Sequence, residues 1–455
     1  MVERVTSVQC ELTIKLSNAT TIPLKLDVFG EQHNLVNYIT NISKNESSSA
    51  QGVNPVGVVS SDTLTIELKS VDRSLIPENE ASPYFGFMDN TAIILIKLID
   101  EIGDITFGKM YVSQWSPQVT SSNPYRVVIE CTDILSIIGK SSVPSINMPE
   151  GMLTKDYFLA VIDAVNLKND SDHQLNYTAS DISFSEFPEM QFSGIDLTNM
   201  SDLFNIISQS TLTNIYIGRD NKLKTDYCCN DTASESVCTL SDNVNLLNIS
   251  PTTGGLVGFN GVKVNYNIGV INPISKVVEL TNQQLVIGEN SFTNIDLGGN
   301  VFKINIIEIV ADDGSEPVIT LVEYSKNNLK ILLTSVTSTT CSIYIYGQTV
   351  NNSQMFIEKY KDTINNNSVL TLTNTMIPAS YIDKFCTEMV SLLGKKNSRL
   401  TVAGWINPRI LVGDTVYIDA AASTKLTGYY KVITATWNIA AGIKGSLQLM
   451  KLIGE

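Results

Sequence analysis

Through the opening third of the chain, apolar and polar residues alternate. Leu12, Ile14 and Leu16 alternate with Thr13, Lys15 and Ser17, and Ile22, Leu24, Leu26 and Val28 keep the same spacing. A period of two is that of a half-buried strand. It returns at Leu64, Ile66 and Leu68, and again, after the Asn123-Pro124 turn, at Tyr125, Val127, Ile129 and Cys131. The pattern predicts an antiparallel sheet with one face in the core. Residues 41–52 interrupt it with a polar, Ser-rich stretch that has few apolar anchors, which reads as a mobile loop or a segment ordered only by a partner.

The period then changes. Tyr157, Phe158, Val161, Ile162 and Val165 recur at helical spacing behind Thr154, a candidate cap, with Asp156 in the first turn. A second helix is predicted from about Ser201 through Leu203, Phe204, Ile206 and Ile207. Residues 214–217, a polar turn at Arg219-Asp220-Asn221 and residues 223–225 then read as a hairpin. Alternation resumes at Val262, Val264 and Tyr266, and residues 277–350 form an all-strand stretch of a length suited to a small β-sandwich. A third helix is predicted behind Pro378 and Ser380, with Ile382, Phe385, Cys386, Met389, Val390 and Leu393 on one face. Strands close the chain.

A length of 455 residues exceeds what one core usually serves and predicts two to four domains. The 43% hydrophobic and 17% charged residues are those of a folded globular protein. The most apolar run, Ile93-Ile94-Leu95-Ile96, is broken by Lys97, short of a bilayer span. No secretory signal is expected from the first residues, which predicts a chain kept in the cytosol until assembly. Seven scattered cysteines match no disulfide framework. A net charge of −15 disfavours adhesion to nucleic acid, whose non-specific affinity comes from Lys and Arg releasing counterions.

Little in the sequence points to catalysis. With only His33 and His173 there is no HExxH motif and no three-His zinc site, and there is no GxSxG elbow. Gly254, Gly255, Gly258 and Gly261 fit no phosphate-loop spacing and read as turn glycines before a strand. Cys228, Cys229 and Cys238 form the one local cluster suited to a soft metal, but adjacent cysteines lack the two-residue spacer that lets both thiolates face one ion. No two of the 46 carboxylates stand out as a glycosidase pair. Neither catalytic residues nor a cofactor or metal site are predicted, and the chain is expected not to be an enzyme.

Two groups of motifs carry a resemblance. Near the end stand Gly404-Trp405-Ile406-Asn407-Pro408-Arg409, Gly413-Asp414-Thr415-Val416-Tyr417-Ile418, Gly428-Tyr429-Tyr430-Lys431-Val432 and Gly442-Ile443-Lys444-Gly445. This succession of turn and strand resembles the final barrel of phage tail baseplate hub proteins. Near the start, residues 61–68, Gly108-Lys109-Met110-Tyr111-Val112 and residues 127–135 resemble that family's first barrel. Residues 277–350 depart from the pattern and look inserted.

The fold expected is mainly β with a minor α+β part. Residues 1–145 would form a first tube-type β-barrel module, 146–245 a helix-containing module, 246–276 with 351–455 a second tube-type module, and 277–350 an inserted sandwich-like module. The resemblance implies a structural hub in the virion tail baseplate, assembled in the host cytoplasm. It would be a homotrimer whose partners are the tail tube or distal tail protein, the spike or tip protein and the tape-measure protein, without specific nucleic-acid binding or membrane insertion. Two readings of other classes are a carbohydrate-binding or adhesin-type tail tip protein and a hub fused to a cell-wall hydrolase.

Overall fold

The structure is a computed structural model. It describes residues 8–27, 37–48, 57–118, 125–144, 153–184, 199–228, 235–242, 244–253, 259–297, 301–324, 328–361, 369–373, 377, 380–394, 398–440 and 442–452. It is mainly β, as the periodicity predicts.

Seven strands make the first barrel: β1 (Gln9–Lys15), β2 (Thr21–Asp27), β3 (Asn37–Ser47), β4 (Thr63–Ser70), β5 (Ile93–Asp100), β6 (Gly103–Pro117) and β7 (Arg126–Thr132). They run in the order β3-β4-β7-β6-β5-β1-β2, and β2 curls round to lie against β3. The inward faces are the alternating apolar sets of the sequence; Leu12, Ile14, Leu64, Ile66 and Ile129 are fully enclosed. β3 is a correction. The stretch expected to be a mobile loop is strand through Ser47, with Ile42, Lys44 and Glu46 all pointing into the interior. Residues 49–52 of that stretch lie outside the described residues.

A helical unit follows. It comprises α1 (Ile134–Ile138), α2 (Thr154–Asn166), β8 (Asn176–Tyr177), α3 (Met200–Thr211), β9 (Thr213–Ile217) and β10 (Lys222–Tyr227). The stripe Tyr157, Phe158, Val161, Ile162 and Val165 is buried against Leu203, Phe204 and Ile207 of α3 and against Ile93 and Tyr111 on the outside of the first barrel. Leu153 occupies the cap position of α2 and makes no side-chain bond, so Thr154 is the first helical residue rather than the cap. Asn199 caps α3, accepting from Asp202 N–H at 2.9 Å. The unit is fastened to the barrel through Asp172, which takes hydrogen bonds from Lys15 and Lys109, and these hold its carboxyl down at about 2.

The chain then opens a second barrel with β11 (Cys238–Ser241) and β12 (Leu246–Thr253) and leaves it. β13 (Gly261–Ile271) leads into β14 (Ser275–Leu285), β15 (Gly288–Asp296), β16 (Val301–Ala311), β17 (Val318–Tyr324), β18 (Asn328–Ser335), the 22-residue β19 (Thr339–Tyr360) and β20 (Val369–Thr373). β14-β19-β16 and β15-β18-β17 are two three-stranded layers of a sandwich, with an apolar cluster of its own around Leu329, Ile331, Ile343 and Ile345. The residue-350 boundary falls inside β19. The first half of that strand lies in the sandwich and the second half pairs with β13. α4 (Ile382–Gly394) packs Phe385, Cys386 and Met389 on the sheet β19-β13-β20. β13 therefore lies with α4 and not in the second barrel.

β21 (Ser398–Gly404), β22 (Thr415–Ala420), β23 (Leu426–Ile439) and β24 (Ile443–Lys451) complete that barrel, in the order β12-β21-β24-β23-β22-β11. This order repeats β3-β4-β7-β6-β5-β1 with one reversal, since β11 runs parallel to β22 where β1 is antiparallel to β5. Local irregularities repeat as well. A bulge separates Val112 from Gln114 opposite β7, and another separates Val432 from Thr434 opposite β24. β3 is bulged between Ile39 and Asn41, β12 between Leu246 and Asn248. Gly108 and Gly428, each four residues before the corresponding valine, both have positive φ (80° and 137°), which glycine adopts without penalty. The two barrels are two versions of one fold. They are joined edge to edge, since residues 42–47 of β3 pair antiparallel with residues 434–439 of β23, so all thirteen strands form one sheet.

The neck of the sandwich is a simple ladder: Ile271 pairs with Val350, and Asn272 N–H donates to Thr349 O at 2.8 Å. Replacing residues 273–348 with Asn-Gly would close that ladder with a two-residue hairpin turn. The shortened chain is expected to stay soluble, with the main thermal transition within about 4 °C of the full chain by circular dichroism. Aggregation, or a larger loss, would make the sandwich part of the body's core.

Candidate functional site: the buried junction of the two barrels

The seam between the barrels encloses charge. Lys44, on β3, is 2% exposed and Trp437, its register partner on β23, is 0% exposed. The Lys44 ammonium lies 3.3 Å from Glu46 Oε1 and 3.3 Å from Asp62 Oδ2, and donates to Phe107 O on β6. Glu46 is held from the other side by Arg219, whose Nε and Nη2 reach its two oxygens at 2.7 and 2.6 Å, and by Trp437 Nε1 at 3.1 Å. A bidentate guanidinium–carboxylate pair is among the stronger hydrogen-bonded contacts a protein makes.

Arg219 sits in the β9–β10 turn, so this contact brings in the helical unit. Its guanidinium lies 4.4 Å from the Phe107 ring centre and 5.5 Å from that of Trp437, and it donates to Pro408 O in the β21–β22 loop of the second barrel. A desolvated cation over an aromatic face contributes about 2 kcal/mol. Asn221, in the same turn, accepts from Lys109 N–H beside Gly108. One polar turn thus plugs the place where barrel, barrel and helical unit meet.

Two more carboxylates complete the cluster. Asp62 accepts from Ser47 N–H, and its own N–H donates to Asp133 Oδ2 at 2.7 Å; Asp133 also caps α1 through Ser136 N–H. Burial pushes Asp62 up to about 7, against the pull of Lys44 and with the repulsion of Glu46 and Asp133 added. Burial likewise raises Asp133 to about 6, despite the amide bonds it accepts. Glu46 goes the other way. Burial opposes its charge, but Lys44, Arg219 and Trp437 together outweigh that and hold it below its ordinary value.

This arrangement is a clamp. Each charged head is spent on a neighbour, and the group it suits chemically is the protein itself. A second ion pair spans the barrels nearby, Arg409 of the β21–β22 loop to Asp100 at 2.5 Å and to Gly103 O at 2.8 Å in the β5–β6 turn. The residues singled out from sequence lie elsewhere. His173 is bonded to Asp170 at 2.9 Å and tilted against Tyr111. Cys228 packs on the α4 cluster and Cys238 on the barrel core, and no group of three or more His, Cys, Asp or Glu among the described residues is placed to hold a metal. Gly261 lies under the Tyr360 ring. His33, Cys229, Gly254, Gly255 and Gly258 fall outside the described residues. Sequence reasoning missed Lys44, Glu46 and Asp62; the signal was the unbroken alternation Ile42, Lys44, Glu46.

No protein-family model matches the sequence, and no curated protein matches it. Among solved structures, the chain is similar to the 43 kDa tail protein of prophage MuSo2 from Shewanella oneidensis, with TM-score 0.50 and 9% identity over 97% of this chain and 98% of that one. The chain has the fold of a phage tail protein. It is also similar to the tail protein from Neisseria meningitidis MC58, with TM-score 0.49 and 8% identity over 97% of this chain and 96% of that one. Prophage tail protein gp18 from Listeria monocytogenes EGD-e gives TM-score 0.47 and 8% identity over 97% and 94% of the two chains. The likeness to the MuSo2 protein runs over 97% of this chain and is not confined to one barrel.

The sign of the pH dependence follows from the carboxylates. Asp62 and Asp133 titrate above their unfolded values, so the native state holds protons the unfolded chain has released, and stability falls as pH rises from about 4 through about 7. Glu46 is depressed, so its contribution is present above its unfolded value and lost as pH falls through its folded one. Asp62→Asn should therefore gain on the native chain between pH 5 and pH 8, by at most about 1.4 kcal/mol per pH unit, in urea unfolding at each pH. Lys44→Met leaves Asp62 without its cation, while Glu46 keeps Arg219 and Asp133 keeps its amide bonds, and should cost about 3–5 kcal/mol at pH 8 and less at pH 5. A pH-independent difference for both variants would show that the cluster does not titrate.

Proposed function

We propose that this chain is the structural hub of a phage-type tail baseplate, a homotrimer that joins the tail tube to the spike or tip and lines part of the DNA channel. The observation that carries this reading is the duplicated barrel. One chain holds two copies of the same strand order, welded side by side. Three such chains present six quasi-equivalent units, the number needed to match a six-fold tube, and a closed ring covers sheet edges that would otherwise stay open. Its partners on this reading are the tube or distal tail protein above, the spike or tip protein below and the tape-measure protein within. Its role is non-enzymatic, and its place is the virion tail, after assembly in the host cytoplasm.

The acidic balance suits a channel wall. A net charge of −15 offers a passing duplex few counterion-releasing contacts.

Light scattering on the purified chain is expected to give three times the chain mass, with three-fold rings in class averages of negatively stained particles. A monomer that persists with tube and tip proteins present would overturn the hub. Duplex DNA should bind no tighter than about 1 µM at physiological salt in fluorescence anisotropy. Sub-micromolar binding would rule out a passive channel wall.

A further inference from the structure

Because the barrels are equivalent, the contact between them inside the chain defines two complementary sides. The first barrel contributes a donor side, the β3 edge with the β5–β6 turn. The second contributes an acceptor side, the outer edge of β23 with the β21–β22 loop. Each barrel also has the side it does not use. The unused donor side is the β12 edge with the β22–β23 turn at residues 421–425. The unused acceptor side is the outer edge of β6 beyond β5, with the β4–β5 loop at residues 71–92.

These unused sides look like interface. Phe85 and Phe87 stand 45% and 39% exposed on the β4–β5 loop, while Val244 and Leu247 stand 77% and 69% exposed beside the β22–β23 turn. Apolar groups of this size left in water on two matching surfaces mark contact sites. Each side is one continuous surface. Trp115 of β6 donates to Asp89 O of the loop at 3.1 Å, and Ser423 N–H of the turn donates to Asp242, between β11 and β12, at 2.8 Å. The loop is also set in advance, since Ser82 donates to Ser74 O, Asn79 to Arg73 O and Asn37 to Ser74 across its base. An ordered loop loses little freedom when it docks.

The charges are reversed relative to the internal contact. There, a basic loop residue, Arg409, meets an acidic turn residue, Asp100. On the unused sides the loop carries Asp72, Glu78, Glu80 and Asp89 against a single Arg73, and the turn carries Lys425, with Asp242 beside it bonded to the Ser423 amide. The acidic loop thus suits the turn that carries Lys425 better than the one at Asp100 and Glu101, which biases the two contacts against exchanging. We infer that the β4–β5 loop of one copy, led by Phe85 and Phe87, docks on the β22–β23 turn and Leu247 of a second copy of this chain. The inference rests on the assembly reading above and names its interface.

Strand pairing contributes less here than inside the chain. Aligning the bulges places Pro117 where Trp437 stands and Pro251 where Lys44 stands, and proline has no N–H to give a neighbouring strand. The loop and turn therefore carry the contact. Sedimentation velocity of the full chain across concentrations tests this, with circular dichroism confirming that each variant is folded. Phe85→Ser with Phe87→Ser should weaken self-association on the order of tenfold or more. Lys425→Glu should weaken it, and Glu78→Lys with Glu80→Lys added to Lys425→Glu should restore it. Self-association equal to the native chain in the Phe85→Ser, Phe87→Ser and Lys425→Glu variants, or no rescue by the swap, would overturn the interface and leave the assembly standing. A native chain that stays monomeric at every concentration would remove both.

Discussion

The structure depends on one seam, the ladder between β3 and β23, and on the charge buried beneath it. A strand that pairs on both edges and also faces a core has its register fixed three ways: by β4, by β23 and by what its inward side chains meet. Lys44 and Glu46 make that third condition strict. A slip of one residue would turn both heads outward and bring Ser43 and Asn45 in, leaving Asp62 without a cation and Arg219 without its carboxylate. Desolvating an ion costs several kcal/mol and is recovered only when its partners are in place. The cluster therefore adds less to stability than to the exclusion of other arrangements, and what it specifies is the mutual placement of two barrels and a helical unit.

That role explains why the helical unit lies where it does. α2 and α3 bury an apolar face on the first barrel, which would hold with many angles of approach. The β9–β10 turn removes the freedom, because Arg219 must reach Glu46 and Pro408 O together while Asn221 meets the Lys109 amide. Lys431 of β23, paired with Asp226 of β10 at 2.5 Å, adds a tie from the second barrel. Apolar surface supplies the attraction; polar contacts at the turn choose the geometry.

Much of this was legible in the sequence and the rest was hidden for a physical reason. Strands β1, β2, β4 and β7 and the buried stripes of α2 and α4 follow from period alone, because their inward residues are apolar. β3 does not, since two of its inward residues are charged and a search for alternating hydrophobicity reads them as solvent-facing. Thr154 was a reasonable cap by type, yet the helix begins one residue earlier than such a cap would allow. The duplication was half visible, in Gly108-Lys109-Met110-Tyr111-Val112 and Gly428-Tyr429-Tyr430-Lys431-Val432. What equates them is a backbone property, the positive φ of the glycine and the bulge after the valine, which residue types only suggest.

The contact between the barrels and the contact proposed between copies differ in a way that suits their tasks. Inside the chain the contact never has to be found, because the polypeptide brings it together, so it can use enclosed ions whose desolvation would slow an encounter between free molecules. Lys44 and Glu46 are out of water beneath Trp437, and salt screens them little. Between copies the contact must form from solution and must not form wrongly. Exposed Glu78, Glu80 and Lys425 remain hydrated and steer the approach over a distance of about a Debye length. On that proposal Phe85 and Phe87 hold it once formed, and proline at the two strand positions stops a bare edge from recruiting any strand that passes. In the proposed assembly one fold serves as a permanent weld and as an assembly joint, and the difference lies in where its charges stand relative to water.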